Sequence, residues 1–240
     1  MQNRHILALH GFLGRARDWA QIQTLTQRHE WITPELFNPS SPIGDIDLAS
    51  FGVLADRIIS FIPQNSQPIF VGYSLGARVG LHLLERHPDR FKKFIFLSAH
   101  PGLISDSEKQ ARKLNDLEWK DKLATLPWPT FWNEWNSQAV FARDNDRELM
   151  RDSRDVDIKK LSLGFTTLSL ASQENKDHVL AKHPDKVIWA VGDQDQKFTS
   201  FAEDLKRKKI LPGYERIFNC GHRILFDQPS AVADLIDSVK

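Results

Sequence analysis

The chain is short of cysteine, of net charge and of long apolar runs, and each shortage removes a class of protein. One cysteine, Cys220, among 240 residues leaves no intrachain disulfide and no cysteine-rich metal site. Lysine and arginine number 32 against 31 aspartates and glutamates, a net charge of +1. No bulk field therefore draws the protein to nucleic acid or a membrane surface, and basic residues act locally. The first apolar run, residues 6–9, is too short for a signal-peptide core or a membrane span, so a cytoplasmic location is expected. Internal repeats and low-complexity tracts are also lacking. Hydrophobic residues make up 41%, enough for a large core, and the length fits one domain with an insertion.

What is present is alternation. Short apolar runs at 5–9, 30–37, 67–71, 91–98, 186–191 and 214–218 read as strands. Amphipathic stretches at 18–27, 48–62, 200–208 and 229–239, with one after residue 74, read as helices. This is the signature of an α/β fold with a mostly parallel sheet. Between 101 and 182 the alternation stops. Helical segments broken by Pro127 and Pro129 replace it, with Ile158, Leu161, Phe165 and Leu168 on one apolar face. The expected organisation is a core of residues 1–100 and 183–240, with a helical lid of residues 101–182 over the carboxyl edge of the sheet.

The densest chemical signal is Gly72-Tyr73-Ser74-Leu75-Gly76, a G-x-S-x-G pattern where a strand should turn into a helix. Glycines two residues either side of the serine relieve crowding in a sharp turn that lifts the hydroxyl clear of the sheet. A serine so placed needs a base, and the base an orienting carboxylate. The run Val187-Ile188-Trp189-Ala190-Val191 ends in Gly192-Asp193-Gln194-Asp195, and the strand near Phe218 ends in Asn219-Cys220-Gly221-His222. The order serine, acid, histidine assigns Ser74, Asp195 and His222, with Asp193 as the rival acid. The backbone amides of Leu75 and of Phe12, in the loop His10-Gly11-Phe12-Leu13-Gly14, are the expected oxyanion donors.

Each feature alone has a blander explanation. G-x-S-x-G occurs in ordinary turns, Asp195 can cap the following helix, and His10 reads as a loop-holding residue. Cys220 reads as a small buried side chain. Four features in the correct order on the correct elements favour the serine site.

The sequence resembles the α/β-hydrolase superfamily over essentially its whole length. More narrowly it resembles the family of menaquinone-pathway synthases that form 2-succinyl-6-hydroxy-2,4-cyclohexadiene-1-carboxylate by eliminating pyruvate. The stretches carrying this are Gly72-Tyr73-Ser74-Leu75-Gly76-Ala77-Arg78-Val79, His100-Pro101-Gly102-Leu103, Ala139-Val140-Phe141-Ala142 after Trp135, and Gly192-Asp193-Gln194-Asp195-Gln196-Lys197-Phe198. The resemblance implies a triad of Ser74, Asp195 and His222, and substrate contacts from Tyr73, Arg78, Arg112, Trp135 and Arg154, with Arg151 the alternative to Arg154. Arg112 lies seven residues before Trp119, so the two share a helix face. In isolation, Arg112 and Arg154 would read as a solvated face and Arg78 as half of a surface ion pair. Trp119, Trp128, Trp132 and Trp135 read as packing or as a substrate wall.

A lyase acting on a small molecule with several carboxylates is the implied function, with Ser74 as base. Neither metal nor organic cofactor is implied, and a monomer is expected. The alternative is a serine hydrolase, a carboxylesterase or thioesterase of a small carboxylated substrate. The chain departs from the family at Pro34-Glu35-Leu36-Phe37-Asn38-Pro39-Ser40-Ser41-Pro42, where many members carry Asp-Leu-Pro-Gly-His-Gly beside the site.

Overall fold

Continuous apolar runs without polar alternation suit strands covered on both faces, and that is how the chain folds in the computed structural model, which describes residues 4–144 and 151–239. Six strands, β1 (His5–Leu9), β2 (Glu30–Ile32), β3 (Ile69–Tyr73), β4 (Lys93–Leu97), β5 (Val187–Gly192) and β6 (Glu215–Ile217), form one sheet. All pairings are parallel, in the order β2-β1-β3-β4-β5-β6. The central strand β3 is buried at every residue. Strand order reverses between β1 and β3, so the crevice beyond their carboxyl ends is the expected ligand position of such a sheet. The loop with Phe12 and the turn with Ser74 both open there.

Helices α1 (Ala20–Leu25), α2 (Phe51–Ile59) and α3 (Leu75–Arg86) lie between the first strands; α8 (Gln196–Arg207), α9 (Ile224–Asp227) and α10 (Pro229–Ser238) follow the last ones. One core layer joins α2, α3 and α8 to the sheet through Leu54, Phe70, Leu83, Phe94 and Leu205; the other joins α1 and α10 through Ile22, Ile69, Ile95 and Ile236. Helix α3 is buried from Leu75 to Leu84, so even its polar side chains lose water unless the site supplies partners.

Among the described residues, those between β4 and β5 form helices and no strand: α4 (Asp106–Thr125), α5 (Trp128–Asn136), α6 (Ile158–Thr167) and α7 (Asp177–Lys182). Ser105 and Glu108 close a reciprocal capping box at the start of α4. Leu161, Phe165 and Leu168 are buried as the spacing predicts, but Ile158 is 42% exposed. It occupies the first position of α6, ahead of the packed turns. Helix α8 begins four residues earlier than periodicity places it, because the Asp195 carboxylate accepts the Phe198 amide at 3.2 Å and caps it. No helix among the described residues is long and apolar enough to cross a membrane.

Candidate active site

The turn between β3 and α3 is strained by construction. Ser74 adopts φ 50°, ψ −108°, the conformation that aims its side chain away from the sheet. A Cβ at Gly76 would sit far inside contact distance of the Leu9 carbonyl, and one at Gly72 2.6 Å from the Ala77 Cα. Only glycine lets β1, β3 and α3 meet this closely.

Three loops then converge. His222 Nε2 lies 3.2 Å from Ser74 Oγ, and His222 Nδ1 lies 2.8 Å from Asp195 Oδ2. A carboxylate only accepts, so Nδ1 carries the proton and Nε2 is free to receive one from the serine. Asp195 uses its other oxygen to cap α8, so one carboxylate orients both the helix and the imidazole. Asp193 points elsewhere and accepts the Cys220 amide at 3.3 Å. Replacing Asp193 by asparagine, which keeps that acceptor, is therefore expected to change kcat/KM by less than about threefold; a steady-state assay checks it. Burial pushes the Cys220 thiol up to about 12, which keeps it an inert protonated side chain at neutral pH.

Phe198 packs on the His222 ring at 4.5 Å between centroids, and Tyr73 at 5.6 Å. Tyr73, expected to contact the substrate, is buried and is not among the residues lining the cavity; its ring packs against that of His222. His10 ties down the Phe12 loop: the Leu36 amide donates to its Nε2 at 3.1 Å, and its Nδ1 donates to the Gly11 carbonyl at 2.8 Å. Burial pulls its pKa down, in keeping with a neutral ring. Leu75 opens α3, where the first amides lack intrahelical acceptors. It lines the same cavity as Phe12 and Ser74.

That cavity measures about 460 Å³. Phe12, Trp119, Trp135, Phe165 and Phe198 form its apolar wall, and Arg78, Arg112 and Lys197, with the carboxylate of Asp116, its charged one. Arg78 is buried, and the one side-chain hydrogen bond it makes among the described residues reaches the neutral Gln173 at 3.5 Å. Burial first, then neighbouring Arg112, lowers it to about 9, with Asp116 opposing the shift, which leaves it charged at neutral pH. Arg112 donates through Nε to both oxygens of Asp116 at 2.9 Å, while Ser169 donates to the same carboxylate at 2.5 Å. Its partner is thus shared and its remaining donors are available.

The second lid arginine is not where the sequence places it. Arg154 pairs with Asp152 at 2.5 Å, with its side chain 88% exposed, because Asp152 caps the short turn Ser153–Asp155 and holds the guanidinium outside. Arg151 is buried but committed. It donates to both Asp18 oxygens at 2.7 and 2.8 Å and to the Leu13 carbonyl at 3.3 Å, bracing the Phe12 loop. Neither lines the cavity, and the third cation there is Lys197, two residues past Asp195. Its position inside the Asp195–Phe198 stretch was the available signal. Trp119 and Trp135 line the cavity, while Trp128 and Trp132 stack on one another 6.0 Å apart. None of residues 34–42 lines it; Phe37 packs behind Phe12 at 5.2 Å. The departure from the family pattern there reaches the site through a packing layer.

A parallel sheet with a serine elbow, an acid loop and a histidine loop at its carboxyl edge defines an α/β-hydrolase architecture, and the Alpha/beta hydrolase family profile matches residues 6–235; the chain belongs to that family. It is an enzyme whose relatives include named synthases. A 2-succinyl-6-hydroxy-2,4-cyclohexadiene-1-carboxylate synthase of Enterobacter sp. (strain 638) is 28% identical across 95% of this chain and 88% of that protein. The synthase of Escherichia coli O1:K1 is 26% identical across 95% and 90%. Among solved structures, MenH from S. aureus superposes with a TM-score of 0.84 at 20% identity, covering 100% of this chain and 94% of that one. A carboxylesterase from Nitrososphaera gargenis gives 0.76 at 16% identity, covering 98% and 89%. At those identities the structural likeness is one of fold.

Proposed function

We propose that the protein is a carbon–oxygen lyase of menaquinone biosynthesis, eliminating pyruvate from 2-succinyl-5-enolpyruvyl-6-hydroxy-3-cyclohexene-1-carboxylate. The observation that carries this reading is Arg78: a buried guanidinium without a carboxylate partner among the described residues, opening on the cavity that holds Ser74. A buried charge left unpaired is costly, and a bound carboxylate relieves it through paired hydrogen bonds. The proposed substrate bears three carboxylates, and Arg78, Arg112 and Lys197 offer three cations. The long relatives named as this synthase support the same choice.

In this mechanism the His222–Asp195 pair polarises Ser74, whose oxygen removes a ring proton as its own proton passes to His222. The freed electron pair moves into the ring, the carbon–oxygen bond to the enolpyruvyl group breaks, and that group leaves as the enolate of pyruvate. The Leu75 and Phe12 amides stabilise the negative charge gathering on oxygen. The insertion of residues 101–182 acts as a lid, contributing Arg112, Trp119 and Trp135.

The same parts suit acyl transfer, in which Ser74 attacks an ester or thioester carbonyl; the 3.2 Å serine–histidine approach favours that chemistry equally. Incubating purified protein with the pathway intermediate separates the two. Pyruvate release well above the spontaneous rate supports the lyase. Background release together with rapid cleavage of activated esters would make the protein a hydrolase.

Substitution of the cations gives a second expected result. Arg78→Ala and Arg112→Ala should each weaken productive binding of the triply charged substrate by on the order of 1.5–3 kcal/mol, read as kcat/KM. Arg78 should show the greater loss, because Arg112 already shares a carboxylate. Unchanged kinetics in both variants would remove the carboxylate-pocket argument.

A further inference from the structure

The peptide unit that joins His222 to Arg223 is pinned at both ends. Its carbonyl accepts the Ser98 hydroxyl at 2.9 Å, from the loop after β4 in the core. Its N–H donates to Asp144 Oδ1 at 3.0 Å, from the insertion. The orientation of this unit fixes the backbone from which the imidazole projects, and the imidazole meets Ser74 at 3.2 Å.

We infer that Asp144 is a positioning residue for the catalytic histidine, a carboxylate lent by the insertion to hold the peptide that carries the base. Arg223 ties it there, and is itself held by the insertion. The Arg223 guanidinium lies 3.5 Å from the other Asp144 oxygen, rests on the Phe141 ring at 3.9 Å and bonds Asn136. A Cβ at Gly221 would meet Asp144 Oδ1 at 2.5 Å and the Arg143 backbone at 2.7 Å, so glycine admits the insertion to this loop. The Asp144 and Arg223 side chains are only 4% and 13% exposed. Burial raises the Asp144 pKa, with Arg223 and His222 opposing the shift and Asp227 adding to it. Holding a carboxylate in so dry a place costs free energy, which the Arg223 guanidinium offsets.

This inference rests on the triad as read above but not on the substrate. Its test therefore measures the rate at which a fluorophosphonate labels Ser74, which needs the serine–histidine pair alone, beside steady-state kinetics and thermal unfolding. Asp144→Ala should lower the labelling rate and kcat in parallel by about ten- to a hundredfold, as small misplacements of a catalytic group do, with KM within about twofold. Asp144→Asn, whose amide oxygen still accepts from the Arg223 N–H, should restore most of the rate. Labelling of Asp144→Ala at the wild-type rate, with or without a lower unfolding temperature, would overturn the inference and leave Asp144 a plain structural contact. If that variant does not fold, Ser98→Ala removes the opposite anchor of the same peptide: slowed labelling supports the inference, and unchanged labelling refutes it. Failure to release pyruvate with these labelling differences intact would count against the lyase alone.

Discussion

Replacing Ser74 by alanine should lower turnover of the pathway substrate by about 10²- to 10⁴-fold if the hydroxyl serves as a general base, and by on the order of 10⁶-fold if it is a covalent nucleophile. The size of the loss thus reports the role. A base contributes one proton transfer, and oriented cations and backbone donors continue to act on the substrate without it. A nucleophile defines the reaction path itself. The substitution deletes only the oxygen, because alanine meets the same φ of 50° that serine already tolerates. The comparison with Asp195→Asn is informative in either case. An amide at that position presents the wrong hydrogen-bonding pattern to Nδ1, 2.8 Å away, favouring the tautomer that cannot accept the serine proton and costing about 10⁴-fold. Asparagine also keeps the oxygen that caps α8, so folding should survive. Should Ser74→Ala retain more than about a tenth of the wild-type turnover, below even the modest end of general base catalysis, the serine site is misassigned.

How far the site was legible depended on whether a residue's role followed from its place on an element. Ser74, Asp195 and His222 each stand just past a strand, and parallel strands bring their carboxyl ends to one edge, so order along the chain became proximity. Arg112 and Trp119 were legible as a pair because a helix repeats its face every seven residues, and both line the cavity. Arg154 misled because no periodicity governs residues 151–157; a two-residue contact with Asp152 decides its direction. Arg151 and Asp144 depend on partners more than seventy positions away, Asp18 and Arg223, which no local pattern announces. Tyr73 is adjacent to Ser74 in sequence, yet it is the last residue of β3 while Ser74 sits in the strained turn that follows, so the two side chains part, and the Tyr73 ring packs near His222 instead. Lys197 stood in a stretch already singled out, but its stake in the cavity depends on how α8 begins.

Acidification should destabilise the protein steeply, because two buried histidines resist protonation. His100 and His82 are both buried, and both are lowered from 6.5 to about 3. For each, burial is the main cause. Arg78, Lys197 and Arg112 add to it for His100, and Lys176, Arg78 and Arg86 for His82. His100 accepts the Gly102 amide through Nδ1 at 3.0 Å, and His82 stacks flat on Phe51 at 4.8 Å; both arrangements suit a neutral ring. Between pH 6.5 and about 3 the unfolded chain binds these two protons while the folded protein excludes them, so stability falls as pH falls through that window. The linkage amounts to roughly 3 kcal/mol per histidine from about pH 7 to about pH 4, enough for the pair to remove much of a typical domain's stability. His10, also lowered by burial, acts in the same direction, and the raised Asp144 offsets part of the loss. Urea unfolding across this pH range measures the slope. His100→Gln and His82→Gln should each flatten it without abolishing the fold, since glutamine supplies comparable polar atoms and takes up no proton. A slope identical in the wild type and both variants would mean that neither imidazole is held neutral, and that the cations around Arg78 are better screened than their burial implies.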